Sequence, residues 1–301
     1  MNPRIRWALQ FAVSAVLLVV LLRVFPLDLV REALAGISWS LWFGALAMFL
    51  TVHAISALKW RLLVGPDVVS VGEAIRIHYA GLSTSLVLPG LMSGDVVRGG
   101  MLGKRSGDWH GVVVAGLFDR VIDVTTLLVL AGFGLLTSVT VAGDALRLFA
   151  LAALTVAAVV TAMVVGLSWL GGGQREWQMN LADAIARLKA RPVNAAAAFS
   201  ISIVVQLGFL FASKAIGEGV GLEAPLAVWL VAWPLSKLAA VLPVGLAGIG
   251  MREVALVALF GFYGISEPVA IAAGLAWESV LVVGLLSSGL LAAAASGSLP
   301  E

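Results

Sequence analysis

Six stretches of this chain are apolar over the length a helix needs to cross a bilayer: 7–25, 39–58, 112–137, 146–170, 195–217 and 269–295. A hydrocarbon core of ~30 Å takes about 20 helical residues, and only helices or closed barrels satisfy their backbone polar groups in it. The predicted fold is therefore all-α and integral to a membrane, as one polytopic domain over residues 1–301. Composition closes the soluble alternative. Of the residues, 61% are hydrophobic and 12% charged, with a mean hydropathy of +1.05. A soluble domain carries about 25% charged residues and could not bury so much apolar surface. A net charge of only +2 gives no field for nucleic acid. There is no cysteine, so disulfides and thiol chemistry are excluded.

The first run follows Arg4 and Arg6 and ends at Arg23-Val24-Phe25-Pro26 without a small-residue cleavage site, so a retained first span is expected. Segment 26–37 is short and amphipathic and is expected to lie at the interface. Segment 174–191 reads as a surface connector.

Two further apolar regions, 75–103 and 226–264, are each long enough for two short helices and are broken in the middle by Pro and Gly. A broken helix in lipid exposes backbone groups at several kcal/mol each, so it survives only against protein or a water-filled cavity. Both regions are predicted to be re-entrant helical hairpins that return to the face they entered. Their breaks share a pattern. Val87-Leu88-Pro89 with Gly94 and Arg98 matches Val241-Leu242-Pro243 with Gly248 and Arg252, as V-L-P-x(4)-G-x(3)-R offset by 154 residues. The breaks are assigned to Pro89, Gly94, Pro243 and Gly248.

Charge counting outside the apolar runs agrees with this topology. With the N-terminus in the cytoplasm and both hairpins returning, 11 basic residues, Lys59 among them, fall inside and 4 outside. Both termini are then cytoplasmic. The first hairpin dips in from the cytoplasm and the second from outside, so units 39–137 and 195–295, linked by 146–194, become inverted-topology repeats. Such repeats, with broken helices meeting near the midplane, characterise alternating-access transporters.

Nine charged residues fall inside the membrane: Asp95, Arg98, Asp119, Arg120, Asp123, Lys237, Arg252, Glu253 and Glu278. Each costs on the order of 2.5–3.5 kcal/mol at a helix centre, so they should face one another across an internal cavity. Asp119 and Asp123 share a helix face at i,i+4, and Asp95 and Arg98 stand at i,i+3. Arg252 and Glu253 are adjacent and are expected to point in different directions. A buried Arg can hold a phosphate bidentately while acids orient it, and half-helix N-termini favour anions. The substrate-binding candidates are Arg98, Arg252, Asp95, Glu253, Arg120, Asp119, Asp123 and Lys237. The Asp119–Arg120–Asp123 group equally fits a structural ion-pair knot, Glu278 fits an interfacial position, and His53 and His78 fit packing roles.

The residues resemble a known family at four places. These are Trp60-Arg61-Leu62-Leu63, Leu88-Pro89 with Gly94-Asp95-x-x-Arg98, Asp119-Arg120-x-x-Asp123, and Gly248-Ile249-Gly250-Met251-Arg252-Glu253. In order and spacing they are similar to the lysylphosphatidylglycerol synthase transmembrane region, the flippase-like domain of MprF-type proteins, over about residues 5–295. The resemblance implies translocation of a phospholipid or lipid-linked head group, with Arg98, Arg252, Asp95 and Glu253 central on the hairpins. The family motif usually has Glu where this chain has Asp119. The soluble aminoacyltransferase domain of MprF-type proteins is not among these residues, so no aminoacyl-lipid synthesis is implied. Other branches of the family are linked to polyprenyl-phosphate sugars and hopanoids.

The leading expectation is a lipid flippase of the cell inner membrane rather than an enzyme. No catalytic set, metal site or cofactor is expected, and no P-loop motif couples it directly to ATP. Its partners would be the lipid itself and, compatibly, further copies or a lipid synthase, with no nucleic acid. The rivals are an intramembrane lipid-modifying transferase and a non-transporting, lipid-binding partner of a synthase.

Overall fold

The computed structural model describes residues 35–86, 93–138, 192–240 and 251–296, with a few single positions between 179 and 190. The expected spans 7–25 and 146–170, nearly all of the connector, and Pro89, Pro243 and Gly248 lie outside the described residues. Among the described residues every element is helical: α1 (Trp39–Val64), α2 (Val71–Thr84), α3 (Ser93–Ser106), α4 (Trp109–Thr137), α5 (Pro192–Gly219), α6 (Leu226–Ala239), α7 (Met251–Gly261) and α8 (Glu267–Ser296). Stretches within α1, α5 and α8 are long and apolar enough to cross a membrane. The chain is an all-α membrane protein.

Local sequence sets the helix ends. Ser38 caps α1 by accepting from the Leu41 amide. Ser70 accepts from the Glu73 amide at the start of α2, in the Ser-x-x-Glu spacing of a capping box. Asp108 caps α4 through the Gly111 amide at 2.8 Å. After α5 and α7 the chain reverses through Gly221 (φ 85°) and Gly264 (φ 76°). At each, the following amide reaches back along the chain, Leu222 to Gly217 at 2.8 Å and Ile265 to Phe260 at 3.2 Å. This is the Schellman arrangement, which glycine adopts without a Cβ penalty. Region 75–103 thus becomes α2 and α3, and region 226–264 becomes α6 and α7.

The described elements repeat one order, long, short, short, long. Lengths are 26, 14, 14 and 29 residues for α1 to α4, and 28, 14, 11 and 30 for α5 to α8. Packing follows the same rule. α1 lies against α5, α2 against α8, and α6 against α4, while α2 and α3 pair, as do α6 and α7. The first helix of each short pair therefore rests on the last long helix of the other half. The main core joins both halves, with Phe49 and Val52 of α1, Phe209 and Leu210 of α5, Trp229 and Trp233 of α6, and Trp277 of α8. A smaller cluster of Trp60, Ile77, Leu102 and Val112 fills the space between α1, α2, α3 and α4.

Gly94, assigned above to the first break, lies in the first turn of α3 and meets Gly81 of α2 backbone to backbone. A Cβ on Gly81 would fall 2.6 Å from the Gly94 carbonyl oxygen, so only glycine permits this approach.

Candidate functional site

α4 turns Asp119 and Asp123 to the same face, one helical turn apart, as the spacing required. Between them sits the ammonium of Lys59, from α1. It lies 2.9 Å from Asp119 Oδ1 and is also paired with Asp123, and its side chain is wholly buried. Sequence reasoning counted Lys59 with the cytoplasmic flanking bases. It belongs instead to the charged interior, because α1 continues to Val64 and carries it alongside α4. The signal available was the pair of aspartates, which need a buried cation of their own.

From Asp119 the network runs into α3. Arg98 Nη2 donates to Asp119 Oδ2 at 3.0 Å and lies 3.2 Å from Asp95 Oδ1, its i,i+3 neighbour. Asp95 Oδ2 in turn accepts from Arg120 Nε at 2.6 Å. Six side chains from three helices thus alternate in sign, Asp123, Lys59, Asp119, Arg98, Asp95, Arg120, and sum to zero. Pairing of this kind makes charge tolerable in a low-dielectric interior. The expected knot of Asp119, Arg120 and Asp123 is therefore real as geometry but wider than drawn, and Arg120 reaches α3 rather than its own helix neighbours.

Two side branches leave this chain of charges. On one side Arg98 Nη1 lies 3.1 Å from His78 Nδ1, and His78 Nε2 lies 3.2 Å from His53 Nδ1. A guanidinium can only donate, so His78 Nδ1 accepts and its Nε2–H points to His53. The guanidinium also lies over the Trp60 ring, 4.6 Å from its centre. The histidines, read from sequence as packing residues, thus form a hydrogen-bonded line ending at Arg98. On the other side Asp123 Oδ1 accepts from Ser202 Oγ at 2.7 Å and from Gln206 Nε2 at 3.2 Å, both on α5. Gln206 Oε1 then accepts from Lys237 of α6 at 2.8 Å. The Lys237 ammonium sits 4.6 Å from the Phe209 ring centre and 4.9 Å from that of Trp233. Ser202 and Gln206 carried no sequence signal, being ordinary polar residues in an apolar helix.

A second, smaller group lies in the other half. Arg252 of α7 donates from Nε to Glu253 Oε1 at 3.0 Å and from Nη2 at 2.7 Å, and pairs with Glu278 of α8. Arg252 and Glu253 do not diverge as expected; the guanidinium folds back onto its neighbour because α8 brings Glu278 to the same place. Glu278 is buried rather than interfacial, and among the described residues its Oε1 has no hydrogen-bond partner. Each half thus joins the arginine of its second short helix to an acid of its last long helix, Arg98 to Asp119 and Arg252 to Glu278. Among the described residues no group of three or more His, Asp or Glu side chains converges as a metal site would.

The family model described as the lysylphosphatidylglycerol synthase TM region matches residues 7–289. The chain has no significant match among curated proteins or solved structures.

Proposed function

The chain belongs to the lysylphosphatidylglycerol synthase transmembrane-region family, and from that premise we propose that it is a lipid translocase of the cell inner membrane rather than an enzyme. Its substrate is a phospholipid or a lipid-linked anionic head group, whether phospholipid, polyprenyl-phosphate-linked or hopanoid, carried between leaflets. The observation that carries this reading is the line of charged and polar side chains running from Arg120 on α4 through Asp123 and Gln206 to Lys237 on α6. Intramembrane charge is expensive and marks the route of a polar cargo. A purely structural lock would need no branch that crosses from one half of the chain to the other.

The packing supports an inverted-repeat architecture for 39–137 and 195–295. Exchanging the two halves maps α2 on α8 onto α6 on α4, and maps the α1–α5 pair onto itself. On this reading α2/α3 and α6/α7 are re-entrant hairpins entering from opposite faces, with cytoplasmic termini. Head-group phosphate passes between them, met by cations held in place by Asp95, Asp119, Asp123 and Glu253. The test is reconstitution into proteoliposomes with fluorescent short-chain phospholipids and lipid-linked sugars. Translocation above that of empty liposomes is expected for at least one lipid. Rates equal to empty liposomes across the whole set would sink the proposal.

A further inference from the structure

The cations of the charged interior are not equivalent. Lys59, Arg98, Arg120 and Arg252 each have a carboxylate within ion-pair distance. Lys237 has none among the described residues; it reaches Asp123 only through Gln206. Neither hairpin break can supply one, since 87–92 and 241–250 contain no Asp or Glu. An ammonium offers three donors, and Gln206 Oε1 takes one of them.

We propose that Lys237 is the anion anchor of this protein, the residue that takes the phosphate of the lipid head group, while the arginines hold the helices together. This rests on the translocase reading and narrows it. A group so placed is costly without a ligand. Desolvating an ammonium costs several kcal/mol. Its position in the last turn of α6 recovers only a small part of that from the helix dipole. The ring faces of Phe209 and Trp233 help, but they leave N–H donors unused. Lys237 also remains partly exposed while Leu235, Ser236 and Leu238 around it are buried. Gln206 holds it in place, and Asp123 holds Gln206 with its carbonyl toward the ammonium. A phosphate oxygen would accept the unused donors, and the two rings would wall the apolar part of the lipid.

The experiment measures binding of short-chain phosphatidylglycerol, and of the matching uncharged diacylglycerol, to the detergent-purified full chain by native mass spectrometry. Inorganic phosphate is added as a competitor in a parallel arm. Lys237→Gln is expected to weaken phosphatidylglycerol roughly tenfold or more, as loss of a charged hydrogen bond implies, and to leave diacylglycerol unchanged. Lys237→Arg should retain binding, and Lys237→Met, which keeps the volume, should repeat the Gln result if Gln does not fold. Competition by inorganic phosphate in wild type but not in Lys237→Gln would assign the site to the phosphate group itself; absence of competition would assign it to the intact lipid. Unchanged phosphatidylglycerol affinity in Lys237→Gln, or equal loss for both lipids, overturns the anchor and leaves the translocase standing. Wild type that binds neither lipid overturns the anchor for a phospholipid cargo, whereas the translocase reading falls only if the proteoliposome set above also shows no transport.

Discussion

Removing the Lys59 ammonium should unsettle the interior more than any other single truncation. The side chains of Lys59 and Asp119 are 0% and 2% exposed, so Lys59→Met leaves Asp119 with Arg98 alone and Asp123 with no ion-pair partner among the described residues. Breaking one partner of a buried pair costs about 3–5 kcal/mol. At about 2–4 °C per kcal/mol, the melting temperature of the purified chain should fall by roughly 6–20 °C. Intrinsic tryptophan fluorescence on heating reads this directly, with ten tryptophans in the chain. The order of charges makes a sharper claim. Asp123 ends the alternating line, so Lys59→Met with Asp123→Asn deletes a terminal pair and leaves Asp119, Arg98, Asp95 and Arg120 balanced. The carboxamide introduced by Asp123→Asn still offers an oxygen to the Ser202 hydroxyl. Lys59→Met with Asp119→Asn instead leaves Asp123 unpaired and Arg98 short of an acid. The first double variant should regain about 1–3 kcal/mol over simple additivity and the second should not. A Lys59→Met melting point at the wild-type value, or equal rescue by both partners, would refute the alternating line.

Arg252→Ala leaves Glu253 and Glu278 facing each other without their cation, so it should lower the melting temperature more than Glu278→Gln does; the reverse order would mean that the trio is not held by Arg252. Gly81→Ala drives a Cβ to within 2.6 Å of the Gly94 carbonyl oxygen and should cost about 1–3 kcal/mol as overpacking, whereas Gly116→Ala meets nothing within 4 Å and should be neutral in the same melt. The chain has no cysteine, so Ser83→Cys with Gly289→Cys places a single reporter pair where a Cβ on residue 289 lies 3.0 Å from the Ser83 Cβ; non-reducing gels should show the crosslink form on oxidation.

What the sequence made legible is what length and period encode. α1, α4, α5 and α8 lie where unbroken apolar runs put them, and the Pro/Gly interruptions separate α2 from α3 and α6 from α7. The i,i+3 spacing of Asp95 and Arg98 became an ion pair, and the i,i+4 spacing of Asp119 and Asp123 put both on one face, because helix geometry alone decides these. What stayed hidden depends on which helix lies beside which. Lys59 next to Trp60-Arg61 has the profile of a flanking base, and only the approach of α4 turns it into a buried one. His78 gains meaning only when α3 brings Arg98 beside α2, and Gln206 only when α4 and α6 arrive on either side of α5. Arg252 and Glu253 diverge on an isolated helix; a third residue, Glu278, draws them together.

The distribution of charged links also divides the molecule by mechanical strength. Ion pairs tie α1, α2, α3 and α4 into one block, α2 through Glu73 and Arg105 as well as His78, with α5 and α6 joined through Ser202, Gln206 and Lys237. Another ion pair ties α7 to α8. Described contacts of α8 with α1 and α2 are uncharged: one hydrogen bond, from Trp42 Nε1 to Ser279 Oγ at 2.9 Å, and the close approaches of Gly284 to Phe49 and of Gly289 to Ser83. Separating paired charges in a dry interior costs several kcal/mol per pair, while apolar surfaces with small residues between them can slide with little change in buried area. On the translocase reading, a rearrangement that alternates access would run along the seam between α8 and the α1–α2 face, with α7 carried along by Arg252 and Glu278. That path also changes the distance from Arg252 to the α6 ammonium of Lys237, because α6 stays with the first block.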